Sequence, residues 1–216
     1  MNPPHGPRLG EDQRSRLMEH SQTRHYRKHQ MVCCADDHEN FFFFVTSGCL
    51  RVFFAHVSGR EFSLSMLEPG SFFTSHAGLN IEAVKPSAVQ VVDAAMVQEI
   101  MRNDPTFSLQ LMKIVGGMLR NALHSIESLV FENLESRLAE YLLREISDCP
   151  PATNGAVTAR HELSIEEIAK FVGGSRQSVS LLLGNWKRSG IVRHDHHRIH
   201  VEDPLRLYNI AQRPLH

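Results

Sequence analysis

The chain has 216 residues, 42% of them hydrophobic, and a formal net charge of −1 at pH 7. This length allows two small domains and a linker, and the near-zero charge excludes a general polyanion binder, so any positive surface must be local. There is no apolar stretch of about 18 residues, no hydrophobic signal region and no ordered cysteine framework, which predicts a cytoplasmic protein without a membrane span.

The N-terminal half contains short apolar or alternating segments that are separated by glycine- and proline-containing turns. These predicted strands cover residues 40–46, 50–57, 61–67, 81–84 and 88–92. Short strands with regular turns are typical of a barrel or a double-sheet roll. A short helix is predicted after them, over residues 94–102.

A long helix is predicted over residues 105–131, with Asp104 as its N-cap and Pro105 in its first turn. Apolar residues recur along it at near-heptad spacing: Leu111, Val115, Met118, Ala122, Ile126 and Leu129. Such a seam indicates a partner helix, although the same stripe can instead pack on the roll of its own chain. Gly116 and Gly117 each destabilise a helix by roughly 1 kcal/mol relative to alanine, which suggests a bulky group or a second helix close to the backbone there.

The C-terminal third predicts a helix over residues 134–146, capped by Asn133, and then two short helices around a tight turn. Ser164 and Glu167 have the spacing of a capping box at the start of the first short helix. Gly173 suits the left-handed conformation that ends this helix. Ser175 is then placed to cap the second helix, so the pattern is that of a helix-turn-helix.

The second short helix has an inner apolar face, formed by Val179, Leu182 and Leu183, and a polar outer edge. In a helix-turn-helix the start of this helix enters the major groove, where arginine matches guanine and glutamine matches adenine. Residues 171–200 also contain five Lys or Arg against one acid, which suits a phosphate backbone. The predicted DNA-binding residues are Ser175, Arg176, Gln177, Ser178, Ser180 and Lys187. The alternative is a helical hairpin that only packs.

Two short strands are predicted after this helix, over residues 191–192 and 199–201, and the polar segment between them is typical of a wing. Four histidines lie in or beside it: His194, His196, His197 and His200. They indicate either a metal site or a solvated wing near phosphate. No cysteine or acid completes a ligand set, which favours the solvated wing.

This order of elements resembles the Crp/Fnr superfamily of bacterial transcription regulators over nearly the whole chain. The motifs that carry the likeness are SGCLRVFF at 47–54, EPGSFF at 68–73, FENLESRLAEYLL at 131–143 and GGSRQSVSLLL at 173–183. The resemblance implies an α+β protein that is not an enzyme: an activator that binds promoter DNA as a homodimer and contacts RNA polymerase. It implies a cyclic-nucleotide-binding-like, effector-binding β-roll over residues 1–104, a dimerisation helix and hinge over 105–132, and a winged helix-turn-helix over 133–216.

The segment at residues 70–84 bears on the effector. Cyclic-nucleotide binders of the superfamily pair the phosphate with an arginine in this segment, and here it contains none, which argues against cyclic AMP. An iron-sulfur cluster needs about four suitably spaced cysteines, and Cys33 and Cys34 are adjacent. A cupin-type metalloenzyme would need more clustered ligands than His76 and Glu82 supply.

The same segment, with FFTSHAG at residues 72–78, resembles the CooA-type carbon-monoxide-sensing haem regulators. That resemblance implies a haem b cofactor whose iron is bound by His76, with the amine of Met1 as second ligand and His5 as a rival. It also implies that Val115, Gly116 and Met118 lie near the face of the haem opposite His76. Thr74 stands where some members have a cysteine, so different redox behaviour is expected. The alternative is a regulator of the same superfamily that responds to nitric oxide, redox state or a small molecule.

Overall fold

A computed structural model describes residues 17–18, 21–36, 41–75, 78–147, 149–150, 156–159, 162–195 and 198–213. The predicted haem ligands Met1 and His76, the rival ligand His5, and the wing histidines His196 and His197 fall outside these ranges. The chain divides into two compact units, residues 1–123 and 124–216. The predicted domain boundaries, at residues 104 and 132, lie at the two ends of the long helix Pro105–Phe131. The division at residue 123 falls within this helix.

The first unit is built on an antiparallel sheet whose strands are β1 (Gln22–Tyr26), β2 (Met31–Cys33), β3 (Phe41–Ala55), β4 (Glu61–Leu67), β5 (Phe72–Thr74) and β6 (Asn80–Asp93). The main strand order is β1-β6-β3-β4, while β2 pairs with β6 and β5 pairs with β3. This confirms the predicted α+β class with an N-terminal β-roll.

Two pairs of predicted strands are single bent strands in the structure. The predicted strands at 40–46 and 50–57 correspond to the two halves of β3 (Phe41–Ala55), and those at 81–84 and 88–92 both lie in β6. The register between β3 and β6 shifts around Gly48, which has φ +88° and faces Pro86 and Ser87. A β-bulge therefore accommodates the glycine and the proline, which the pattern had indicated as chain reversals.

Two apolar clusters fill the first unit. The larger one lies within the roll and includes Phe43, Leu50, Val52 and Ile81. The second joins the sheet to helices α1 (Ala94–Asn103) and α2 (Pro105–Phe131). Its buried members are Leu17, Phe44, Phe72, Val92, Val97, Phe107 and Ile114, and it fixes the first part of α2 on the roll.

The residues of the predicted seam on α2 are divided between two faces of the helix. Leu111 packs on the second cluster, and Met118 packs on both clusters, so these two residues serve their own chain. Six of the exposed apolar residues follow a line with alternating spacings of three and four, if Gly116 is counted: Leu109, Met112, Leu119, Leu123, Ile126 and Val130. Val115 and Leu129 of the predicted seam are exposed as well. This line shares Ile126 with the predicted seam and has the spacing that a partner helix would meet.

The second unit contains α3 (Leu134–Ile146), α4 (Ile165–Val172), α5 (Arg176–Arg188) and α6 (Pro204–Ala211). Its three-stranded antiparallel sheet has the order β7 (Val157–Thr158), β9 (Arg198–Val201), β8 (Val192–Asp195). The strands β8 and β9 form the predicted wing. Within the described residues, no helix is long and apolar enough to span a membrane.

Candidate nucleic-acid interface and sensor helix

The helix-turn-helix is held in place by local caps that were predicted. The Ser164 hydroxyl accepts from the Glu167 N–H at 3.2 Å, and the Ser164 N–H donates to the Glu167 carboxylate at 2.7 Å. Gly173 ends α4 in the left-handed conformation, with φ 63°. The next residue, Gly174, lies against α3, because a Cβ there would be 2.6 Å from Leu134 Cδ1. The turn is therefore both tight and closely packed.

Helix α5 presents a polar outer face because its inner face is anchored in the domain core. Val179, Leu183 and Trp186 are buried, and the Trp186 indole N–H donates to Glu135 on α3 at 3.2 Å. The outer face forms a shallow depression of about 470 Å³, lined by Arg176, Gln177, Ser180, Leu181, Gly184 and Arg188. Three of the predicted DNA-binding residues, Arg176, Gln177 and Ser180, are thus brought together.

The other three predicted residues have different surroundings. Ser175 is the N-cap of α5, and its hydroxyl accepts from the Ser178 N–H at 3.0 Å and lies 2.8 Å from the Ser178 hydroxyl. Both serines therefore take part in capping. Lys187 is exposed outside the depression. The prediction missed Leu181 and Arg188, although their spacing of four and eleven residues from Gln177 places them on the same helical face.

A polar network lies at the turn between α2 and α3. Arg137 donates through Nη1 to the Glu132 carbonyl at 2.6 Å and through Nε to the Val172 carbonyl, the last of α4, at 2.8 Å. Burial lowers the pKa of the Arg137 guanidinium, and the negative charge of Glu132 partly opposes this by raising it. His124 Nε2 lies 2.8 Å from Glu140 Oε1, which joins α2 to α3 across the same turn. The turn is therefore bonded to the helix-turn-helix.

The chain just before His76 is well anchored, although His76 itself lies outside the described residues. The Ser75 hydroxyl accepts from the Phe41 N–H and donates to the Phe41 carbonyl, both at 3.1 Å. Thr74 lies in β5, opposite Phe42 of β3. These contacts fix the strand from which residue 76 follows.

Helix α2 carries the three other residues predicted to lie near a haem. Val115 and Gly116 are exposed, whereas Met118 is half-buried against the clusters of the roll. Beyond the helix's own nearby backbone, no atom of the described residues lies within 4 Å of a Cβ placed on Gly116 or Gly117. The helix therefore has open space at its two central glycines.

In the segment at residues 70–84, where cyclic-nucleotide binders pair the phosphate, the carboxylate of Glu82 is already hydrogen-bonded to Arg51. Glu82 accepts from Arg51 Nε at 3.0 Å, and Glu61 accepts from Arg51 Nη2 at 2.6 Å. The Arg51 side chain is buried, and its Nη1 donates to Ser63. Arg51 is therefore neutralised by two carboxylates and is a structural residue of the roll.

The described part of the chain holds no group of three or more His, Cys, Asp or Glu residues placed to bind a metal ion. In the wing, His200 Nδ1 lies 2.8 Å from the Thr158 hydroxyl of β7. This contact links β9 to β7 at the base of the wing.

A β-roll, a long helix with an exposed apolar line and a winged helix-turn-helix together define a transcription regulator with a DNA-binding domain. The comparisons with known proteins agree with this class. The Crp-like helix-turn-helix domain matches residues 136–210, and the cyclic nucleotide-binding domain matches residues 23–104. The chain belongs to the Crp/Fnr family of transcription regulators.

One relative and two solved structures of a second protein illustrate its place in this family. The Cyclic AMP receptor protein of Thermus thermophilus is 28% identical over 197 residues, which are 88% of each chain. The structure of a CooA double mutant from Carboxydothermus hydrogenoformans is 28% identical with a TM-score of 0.84, and the match covers 96% of this chain and 100% of that chain. The imidazole-bound form of CooA, described as a CO-dependent transcription factor, is 30% identical over 94% of this chain and 93% of that chain, with a TM-score of 0.50.

Proposed function

We propose that this protein is a haem-dependent, carbon-monoxide-sensing transcription regulator that binds palindromic promoter DNA as a dimer. The observation that carries the proposal is the likeness to the CO-dependent regulator CooA over nearly the full length of both chains. The family membership and the exposed edge of α5 account for the DNA-binding part. The haem and the gas are the specific part of the proposal.

The surface of α2 around Gly116 has room for a large flat group such as haem. Gly116 and Gly117 leave open space beside the exposed, apolar Val115. His76, which follows the anchored strand β5, and the amine of Met1 would hold the haem iron. When bound, haem would supply an iron that can take up carbon monoxide.

The exposed apolar line on α2 supports the dimer. Leu109, Met112, Leu119, Leu123 and Ile126 all lie on it, and each is more than half exposed in the single chain. A line with this spacing is buried when a second copy of the helix lies alongside. A closed dimer presents two copies of α5, as a palindromic site requires.

The effector acts by favouring one of two arrangements of the protein. A ligand shifts such an equilibrium only by its different affinity for the two states. We propose that release of the N-terminal segment that begins at Met1 allows the exposed apolar line on α2 to repack. The bonded turn at Arg137 and Glu132 would convey this change to α4 and α5. The DNA-bound protein then contacts RNA polymerase as an activator.

An absorption spectrum tests the sensor part directly. Protein produced with adequate haem is reduced and measured with and without carbon monoxide, as wild type, His76→Ala and His25→Ala. The matched control His25 is an exposed histidine on β1 of the same unit. We expect a Soret band that shifts with carbon monoxide in the wild type and in His25→Ala, and an altered resting spectrum in His76→Ala.

DNA binding under argon and under carbon monoxide tests the coupling. Duplexes are selected from a random pool, and their affinity is then measured for the reduced protein under each gas. We expect tighter binding under carbon monoxide. The proposal is rejected if the protein shows no Soret band and binds its selected duplex equally under both gases.

The second candidate is a Crp/Fnr-type regulator with another effector, such as nitric oxide, redox state or a small molecule. It is favoured by the position of Met118, which packs on the roll's own clusters rather than in open space. In this case the selected duplex would bind under the other effector, and carbon monoxide would have no influence.

A further inference from the structure

The outer face of α5 has an apolar side chain at its centre. Leu181 is 64% exposed, whereas Val179, Leu183 and Trp186 of the same helix are at most 5% exposed. At 100° per residue, Leu181 lies about 170° from the mean direction of those three buried residues. It therefore points directly away from the domain core.

The neighbours of Leu181 are groups that suit a DNA groove. Gln177 precedes it by one turn, Arg188 follows it by two turns, and both line the same shallow depression. Between them, Gly184 adds no side chain, and a Cβ there would meet only Arg188 Nη1, at 3.9 Å, among the described residues. Leu181 is thus an apolar contact framed by a glutamine and an arginine, with room for a base edge beside it.

The major groove presents one apolar group, the C5 methyl of thymine. Leucine has neither a donor nor an acceptor, so it makes no hydrogen bond to a phosphate or to a base edge. We propose that Leu181 selects thymine at one position of each half-site by contact with this methyl group. The inference rests on the DNA-binding role of the helix-turn-helix and is independent of haem and carbon monoxide.

Isolated exposed leucines are common on protein surfaces, so the experiment includes a matched one. Leu205 on α6 is 70% exposed and belongs to the same unit. The variants are Leu181→Ala and Leu205→Ala in the full chain. Because both side chains are exposed, neither substitution removes a buried contact.

Duplexes are selected from a random pool with the full-length protein, under argon and under carbon monoxide, and each thymine of the selected half-site is then replaced by uracil. Uracil differs from thymine only by the missing methyl group. At one position we expect about fourfold weaker binding per substituted half-site, and about fifteenfold for both, since a buried methyl contributes about 0.8 kcal/mol. Leu181→Ala should bind the thymine and uracil duplexes equally, and Leu205→Ala should behave like the wild type.

Three results would overturn the inference: no thymine whose replacement by uracil weakens wild-type binding, a retained thymine preference in Leu181→Ala, or an equal loss in Leu205→Ala. Failure to select any duplex would overturn it together with the DNA-binding part of the proposed function. A thymine preference that depends on Leu181 in a protein without a Soret band would support it while rejecting the haem sensor.

Discussion

Replacement of Gly48 by alanine tests the bulge that joins β3 to β6. Gly48 has φ +88°, and a Cβ there would lie 2.1 Å from the Ser87 hydroxyl oxygen and 2.5 Å from the Pro86 carbonyl oxygen. Cβ atoms essentially never approach other heavy atoms this closely. The strand β6 must therefore move, or Ser87 must leave its place.

The cost follows from what Ser87 does. Its hydroxyl accepts from the Cys49 N–H at 3.0 Å and lies 2.8 Å from the Lys85 carbonyl oxygen, to which it donates. The loss of buried hydrogen bonds contributes about 1–3 kcal/mol. A left-handed conformation adds about 1–2 kcal/mol for a residue with a Cβ. We expect Gly48→Ala to lower the free energy of unfolding by about 3–4 kcal/mol, out of the roughly 5–15 kcal/mol typical of proteins.

Gly59 provides the matched control because it has a similar φ, +78°, in the turn after β3. A Cβ on Gly59 would meet no atom of the described residues within 4 Å. Gly59→Ala therefore carries only the conformational cost of about 1–2 kcal/mol. Urea unfolding followed by circular dichroism measures both variants. Equal losses of stability in the two variants would refute the argument that close approach to Ser87 requires glycine at position 48.

Three further predictions concern the helices. Arg137→Met should lower the unfolding free energy by about 1–3 kcal/mol, because the carbonyls of Glu132 and Val172 lose a charged donor; an unchanged urea midpoint would contradict this. Ser164→Ala should cost about 1 kcal/mol through loss of the capping box, whereas a destabilisation well below that of an ordinary cap would show that the packing of α4 suffices. Gly116→Ala should stabilise the haem-free chain by about 1 kcal/mol in thermal unfolding, and a loss of stability would show that another group approaches the helix there.

The parts of the second unit that depend on nearby residues were predictable from the sequence. Ser164 and Glu167 are three residues apart, and the side chain of Asn133 accepts from the Ser136 N–H at 2.8 Å as the expected cap. Such contacts involve neighbours along the chain, so the residue types and their spacing suffice to predict them. The network at Arg137 was missed because one partner, Val172, is 35 residues away.

The roll shows where the hydrophobic pattern fails. The strand β4 has the predicted bounds, Glu61–Leu67, because its apolar residues alternate. The strand β1 pairs with β6, but nearly all of its side chains are exposed and polar. Its sequence therefore has no alternation of apolar and polar residues, and the hydrophobic pattern did not predict it. The seam predicted on α2 mixed two faces for a related reason. A helix with apolar residues on two faces shows no single apolar stripe in its sequence. The packing of Phe107 and Ile114 on the roll identifies the inner face, and this packing is seen only in the structure.

The geometry of Arg137 restricts how the turn after α2 can move. One planar guanidinium donates both to the Glu132 carbonyl, at the end of α2, and to the Val172 carbonyl, at the end of α4. A guanidinium is also favoured at the last carbonyl of α4, because the C-terminus of a helix carries partial negative charge. A displacement of Glu132 beyond the reach of the Arg137 side chain must therefore break one of these bonds or move the end of α4. Because Gly173 and the cap at Ser175 follow that end directly, a movement of the end of α4 would be passed on to the start of α5.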